Sequence, residues 1–444
     1  MTERQGVHGP GGLEGWGLEG HRALDTSGGH EDAGNERLGG APGLRASPVD
    51  AYSAAMPPEG ATRGARDPQT SARHPAWRDV PEDAWTDWRW QLRHRVTTLE
   101  ELETLISLSA EERRGIQARV ASFPMAVTPY YLSRFGGPDC PVRRQAVPVE
   151  AELTREPWDM VDPLAEEEHS PVPILSHRYP DRALMYVSHA CPVYCRHCTR
   201  QRKVGDAASA PSGAEIEAAV DYLRRTPAVR DVLISGGDPL SLSDDRLARI
   251  VASVRAVPSV EVIRLCTRNP VTLPFRVTDA LVARLRAYHP LYVSTHFNHP
   301  DECTPEAGAA LERLADAGFN CGNQMVLMAG INDDPAIVER LNRWLVRHRC
   351  RPYYMFQCDP VGGTAHLRTP IQTGLEILDA LRGRLSGLAI PQFAVDLPGG
   401  GGKVTLTPER VVRIDGNRWE FRDVNGGIFE YVEPARARLP IVDG

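Results

Sequence analysis

The run CPVYCRHCTR, Cys191 to Arg200, sets three cysteines at C-x3-C-x2-C spacing. Thiolates ligate metals, and a structural zinc site takes four protein ligands. The run holds no fourth cysteine, although Cys303, Cys321 and His197 are candidates elsewhere. Three inert core thiols fit poorly beside Arg196, His197 and Arg200, which make a polar lining. An iron–sulfur cluster with three thiolate ligands, and one iron open to a reacting ligand, suits the trio better. A second run, DLPGGGGKVTL from Asp396 to Leu406, places Lys403 behind four glycines. It is no phosphate-binding P-loop, since Leu397 stands where the first glycine is required and Val404 follows the lysine. Either it is a plain flexible loop, or its glycines bring a reactive amine against a bulky ligand. In the second case Lys403 suits a Schiff base with pyridoxal phosphate.

The elements that must position these groups begin near Trp77. WRDVPEDAWTDWRWQLRHRV reads as one short helical stretch anchored by its tryptophans, and TTLEELETLISLSAEERRGI as a second helix. From about Asp181, six β-branched apolar runs alternate with amphipathic segments. In SGAEIEAAVDYLRR, Ile216, Ala219, Val220 and Leu223 keep helical spacing, and Ser212 with Glu215 forms a capping box. Thr304 with Pro305, and Asp334 with Pro335, open two further helices. Six strand–helix units imply a parallel sheet, as an open doubly wound sheet or as a partial barrel. The cysteines, GGDP, CTRNP, HFNHP and QCDP all fall at strand C-terminal ends, where such folds place their sites. Gly236 and Gly237 in LISGGDPL would let the backbone approach a ligand closely, or simply form a turn. Hairpins turning at Asp415-Gly416 and Asn425-Gly426 close the chain.

Composition narrows the class. Of 444 residues, 41% are hydrophobic and 25% charged, as in ordinary globular proteins. The net charge of -7 gives no support to nucleic-acid binding. No apolar run nears the roughly 20 residues that span a bilayer, and no signal-peptide pattern opens the chain. Nine thinly spread cysteines argue for reduced thiols or metal ligands in a cytoplasmic protein. Residues 1–75, rich in Gly, Pro and charge, read as a disordered tail. A helical cap region over 76–176, a barrel over 177–390, and a lysine-bearing segment with hairpins over 391–444 would follow.

Cys191, Cys195 and Cys198 match the signature of radical S-adenosylmethionine enzymes, and a six-unit partial barrel is that superfamily's α/β architecture. Together with SPVPILSHRYPDRAL, CRHCTRQRKVG, STHFNHP, QCDPVGGTAHLRTP and the DLPGGGGK stretch, the chain closely resembles the lysine 2,3-aminomutase family from about Trp77 to Leu406. The resemblance implies a [4Fe-4S] cluster on the three cysteines. It implies S-adenosylmethionine near Gly236, Gly237, His296 and Gln324. It also implies pyridoxal phosphate on Lys403, with Arg182 on its phosphate and Tyr179 lining the same pocket. His296 and His299 also fit as core or loop histidines, and Arg182 as a solvated arginine. The implied reaction forms an aldimine through the substrate α-amino group. A 5′-deoxyadenosyl radical removes hydrogen from Cβ, and the nitrogen migrates to C3, giving a β-amino acid.

By the same resemblance Arg200 meets the substrate carboxylate, and Asp359 with Asp396 holds the lysine ε-ammonium. Two carboxylates without a cation would repel and raise one pKa. They would reject glutamate and leave arginine as the alternative substrate; Asp359 and Asp396 as loop caps is the plain reading. The family also implies an electron donor such as flavodoxin or ferredoxin, and a homo-oligomer. Its C-terminal zinc cysteines have no counterpart here: no cysteine follows Cys358, and Asp334 replaces another, so zinc is in doubt. Two rivals remain open: a non-catalytic metal-binding module, and a radical enzyme without pyridoxal.

Overall fold

A computed structural model describes residues 72–205 and 210–434. The tail expected over 1–75 therefore lies almost entirely outside the described residues, as do residues 435–444. Nine strands form one sheet in strict chain order. They are β1 (Leu175–Tyr179), β2 (Arg182–Ser188), β3 (Asp231–Gly236), β4 (Val262–Cys266), β5 (Leu291–Thr295), β6 (Asn320–Leu327), β7 (Cys350–Gln357), β8 (Gln392–Leu397) and β9 (Gly402–Leu406). All six strands read from the sequence are present as β2 to β7, paired in parallel. The sheet continues into the lysine segment, where β8 adds a seventh parallel strand and β9 turns back antiparallel. At the other edge β1 pairs antiparallel with β2.

The connecting helices are α1 (Gly213–Arg225), α2 (Asp244–Arg255), α3 (Asp279–Leu285), α4 (Pro305–Asp316), α5 (Pro335–Arg347) and α6 (Ile371–Leu381). The capping box of Ser212 and Glu215 starts α1, and the Asp334 carboxylate accepts the Ala336 amide at the head of α5. Strand alternation sorts the faces. In β3, Val232 and Ile234 are fully buried among helix residues such as Val220 and Leu247, while Asp231, Leu233 and Ser235 face an interior cavity. Each buried aliphatic side chain contributes about 1.5–3 kcal/mol, so this outer layer holds the inner face in place. Side chains from both edge strands and from strands between them meet in that cavity, so the sheet curls into a barrel.

The N-terminal helices are shorter than the sequence reading had them. The first stretch breaks into Glu82–Thr86 and Trp88–Arg93, because the Asp87 carboxylate caps the second piece at the Arg89 amide. The second divides into Leu99–Leu105 and Ala110–Arg119, where Ser109 and Glu112 form a capping box of their own. Trp85 and Trp88 are buried, as aromatic anchors should be. The terminal strands β10 (Val411–Asp415), β11 (Arg418–Arg422) and β12 (Ile428–Val432) form a separate antiparallel sheet. Gly416 and Gly426 take positive φ at its two turns. No helix among the described residues is long and apolar enough to cross a membrane.

Candidate active site

Every site residue proposed from the sequence lines one cavity of about 560 Å³. At its upper end lie Cys191, Cys195 and Cys198, in the loop after β2. That loop is tied down on the side away from the cavity. Arg95 donates to the Cys191 carbonyl at 2.7 Å, and the Arg196 amide to the Gln145 carbonyl at 2.9 Å. Arg196 does not line the cavity but turns into the N-terminal region. There it forms a two-pronged pair with Glu152 at 2.8 and 2.6 Å and donates to the Phe123 and Pro124 carbonyls. Burial pushes the Cys191 thiol well up, helped by Asp238 and the other two sulfurs. Burial and Cys195 push Cys198 up to about 11. Thiols crowded in this way ionise together only against a positive centre, which a cluster supplies. Among the described residues no three His, Cys, Asp or Glu side chains converge as a single ion would need.

Gly236 and Gly237 serve this loop rather than a ligand alone. A Cβ on Gly236 would stand 2.3 Å from the Ser188 carbonyl oxygen, and one on Gly237 2.5 Å from that of Ala190. The Gly237 amide donates to Ser188 and the Asp238 amide to Ala190, at 2.5 and 2.8 Å. The glycines thus let the β3 end weld onto the start of the cysteine loop. His296 and Gln324 line the cavity beside them. Burial first, then the charges of Arg268 and Arg200, push His296 down to about 4, so a neutral imidazole faces the space. His299 is a loop histidine: it lies outside the lining and accepts the Asp301 amide at 3.1 Å. Cys303 and Cys321 belong to the hydrophobic core, whereas His197 lines the cavity with its Nδ1 buried and without a protein partner.

The lower end is the seam where the sheet's two edges meet. Register places Lys403 of β9 directly opposite Asp396 of β8, and Lys403 Nζ lies 3.1 Å from Asp396 Oδ2. Gly399, Gly400 and Gly402 have φ of 67°, 80° and 86°, left-handed values that bring β9 back onto β8 in so few residues. From β1 across the seam, Arg178 donates to Asp396 Oδ1 at 3.1 Å, and the Tyr179 hydroxyl accepts the Lys403 amide at 2.9 Å. Arg182 lies over the Tyr179 ring and pairs with Asp181 at 2.7 Å. Burial, followed by the neighbouring Asp396, pushes the Asp359 carboxyl up to about 7. Asp396 lies within β8, one residue before its end, with two cationic partners, and is no loop cap.

Arg200 lines the cavity between the two ends, but is already engaged. Its Nε and Nη2 grip Glu166 at 2.9 and 2.7 Å, while Nη1 lies 3.4 Å from the Ser235 hydroxyl. Arg178, Glu166 and Arg268 are lining residues that the sequence reading missed. Arg178 stands inside the HRYPDR stretch already singled out, so its neighbours were a signal. Nothing in local spacing marks Glu166 or Arg268.

A family profile described as "Radical SAM superfamily" matches residues 185–341, and one described as "Lysine-2,3-aminomutase" matches residues 378–442. The chain is 47% identical over 364 residues to an L-lysine 2,3-aminomutase of Clostridium subterminale, covering 82% of this chain and 88% of that one. It is 48% identical to the enzyme of the same name from Acetoanaerobium sticklandii, over 80% of this chain and 86% of that one. A glutamate 2,3-aminomutase of Clostridioides difficile is 43% identical, over 74% of this chain and 79% of that one.

Proposed function

This chain belongs to the lysine 2,3-aminomutase family of radical S-adenosylmethionine enzymes, and from that premise we propose that it moves the α-amino group of L-lysine to C3. Membership makes it an isomerase and implies an iron–sulfur cluster with S-adenosylmethionine. In this reading the three cavity cysteines hold the cluster, and Gly236, Gly237, His296 and Gln324 border S-adenosylmethionine. Lys403 holds pyridoxal phosphate, with Arg182 on its phosphate and Tyr179 lining the same pocket. When bound, pyridoxal phosphate supplies the electrophilic carbon that carries the migrating nitrogen, and the cluster with S-adenosylmethionine supplies the radical that takes hydrogen from Cβ. An external one-electron donor of flavodoxin or ferredoxin type completes the scheme.

The chain's own residues do the selecting and orienting. Arg178 stays on Asp396 when the Lys403 amine moves to a new partner, so that carboxylate keeps a counter-charge. Glu166 fixes one edge of the Arg200 guanidinium, and Nη1, which donates one N–H to Ser235 at 3.4 Å, offers its other N–H to the substrate carboxylate. The observation that carries the substrate choice is the Asp359–Asp396 pair beside Lys403, with Asp359 pushed up to about 7 by burial and then by the charge of Asp396. A lysine ε-ammonium about 4 Å from a carboxylate gains on the order of 4 kcal/mol at an effective dielectric of 20. The γ-carboxylate of glutamate would meet repulsion of the same order.

The test is competition under strict anaerobiosis. Protein loaded with cluster, pyridoxal phosphate, S-adenosylmethionine and a reductant receives equal L-lysine, L-arginine and L-glutamate, and β-isomers are resolved by chromatography. β-Lysine is the expected product. β-Arginine alone would keep the chemistry and change the substrate, β-glutamate would refute the role of the two aspartates, and no β-isomer would refute the reading.

A further inference from the structure

We propose that Arg268 sets the reduction potential of the cluster held by Cys191, Cys195 and Cys198, through a charged N–H···S contact with Cys195. The proposal rests on the assignment of the trio to that cluster. Arg268 lies just beyond β4, on a different element from the cysteine loop, yet its Nη1 is 2.7 Å from Cys195 Sγ. The rest of the guanidinium is accounted for. Nε donates to the His296 carbonyl at 3.1 Å, and Nη2 to Gln145 Oε1 at 2.5 Å and Glu302 Oε1 at 2.7 Å. Its own amide donates to Asp238 Oδ2 at 2.7 Å, which locks the backbone as well.

The counter-ion is equally fixed. Glu302 is buried and accepts from the Asn298 amide at 2.6 Å, the His299 amide at 3.0 Å and the Tyr131 hydroxyl at 2.8 Å. Arg268 therefore cannot swing away from the sulfur without breaking this network. Hydrogen bonds to cluster sulfurs and nearby charge are among the factors that set iron–sulfur potentials. Reduction adds one electron, taken from the reductant, and makes the cluster more negative by one charge. A fixed guanidinium beside Cys195 stabilises that reduced form more than the oxidised one. Arg268 is a positioning and tuning residue here, acting through the cysteine ligand.

The experiment compares wild type, Arg268→Gln and Glu302→Gln, each reconstituted anaerobically without S-adenosylmethionine. The reduced-cluster electron paramagnetic resonance signal is followed at a series of poised potentials. Loss of a charged hydrogen bond should lower the one-electron reduction equilibrium of Arg268→Gln by at least about tenfold, a potential about 59 mV more negative. Glu302→Gln strips the guanidinium of its counter-charge and should move the potential the opposite way. Opposite shifts are the expected result; a purely structural role would give no shift or two shifts of one sign, and either overturns the proposal. If one variant fails to load a cluster, the other decides by the sign of its shift. If neither loads one, Arg268 is scaffold and the proposal falls. Wild type that takes up no cluster would instead overturn the assignment of the trio.

Discussion

The two ends of the cavity are built on opposite principles. At the cysteine end, side chains that could have faced the ligand face away and tie the loop down: Arg196 is fully buried on Glu152, and two glycines exist so that backbone can touch backbone. At the lysine end the sheet's edges meet through side chains, the Lys403 ammonium is only partly buried, and three glycines take left-handed turns beside it. A group that must stay put while electrons pass needs an over-determined frame. An amine that must exchange partners needs a counter-ion that another residue can keep neutral, and Arg178 does that for Asp396.

The sharpest way to break the contrast is at Glu152. Glu152→Gln leaves Arg119 and Arg196 as buried charges without their carboxylate, and should cost about 3–5 kcal/mol in denaturant unfolding. A change within experimental error would show that the cysteine end is not held by this pair. At the lysine end, Asp359→Asn should raise the KM for lysine on the order of 10²-fold while leaving the bound pyridoxal absorbance. The pH dependence follows from the same carboxyl, which is mostly protonated below about 7. Cation binding favours its ionised form, so in wild type lysine affinity should fall by up to about tenfold per pH unit below that value. The Asn variant should lose this dependence.

Stability moves the other way at this site. Because the folded protein holds the Asp359 proton up to about 7, against an unfolded value near 3.9, ligand-free stability is lost as pH rises across that window. Asp359→Asn should therefore stabilise the ligand-free protein at pH 8, by at most about 4 kcal/mol. A lower Tm for the variant at that pH would count against this account. The smallest effects separate the two kinds of glycine. Gly237→Ala drives a Cβ into the Ala190 carbonyl and should cost about 1–3 kcal/mol, with reduced iron content. Gly399→Ala meets no described atom within 4 Å and carries only the strain of its positive φ, about 1 kcal/mol, with iron content unchanged. Equal losses of iron would erase the distinction between the ends.

Much of this was legible in one dimension. Alternating apolar runs gave the six central strands, capping residues gave the starts of α1, α4 and α5, and strand ends gave the place of the site. The breaks at Asp87 and Ser109 are written in the sequence as capping residues, which a reading of each stretch as one helix does not use. Gly236 and Gly237 were conspicuous, but the atoms that require them belong to another segment.

By itself the sequence determined which chemistries were on offer, because a thiol, an amine or a carboxylate carries its reactivity wherever it sits, and because strand and helix periods are local. Only the tertiary structure decided which groups face each other. Arg268 reaches Cys195, Glu166 occupies one edge of Arg200, and Arg178 shares Asp396 with Lys403, each across a wide gap in the chain. Those pairings arise from the curl of the sheet and the closure of its edges, and that curvature comes from the twist and packing of all the strands together, not from the residues at the contact.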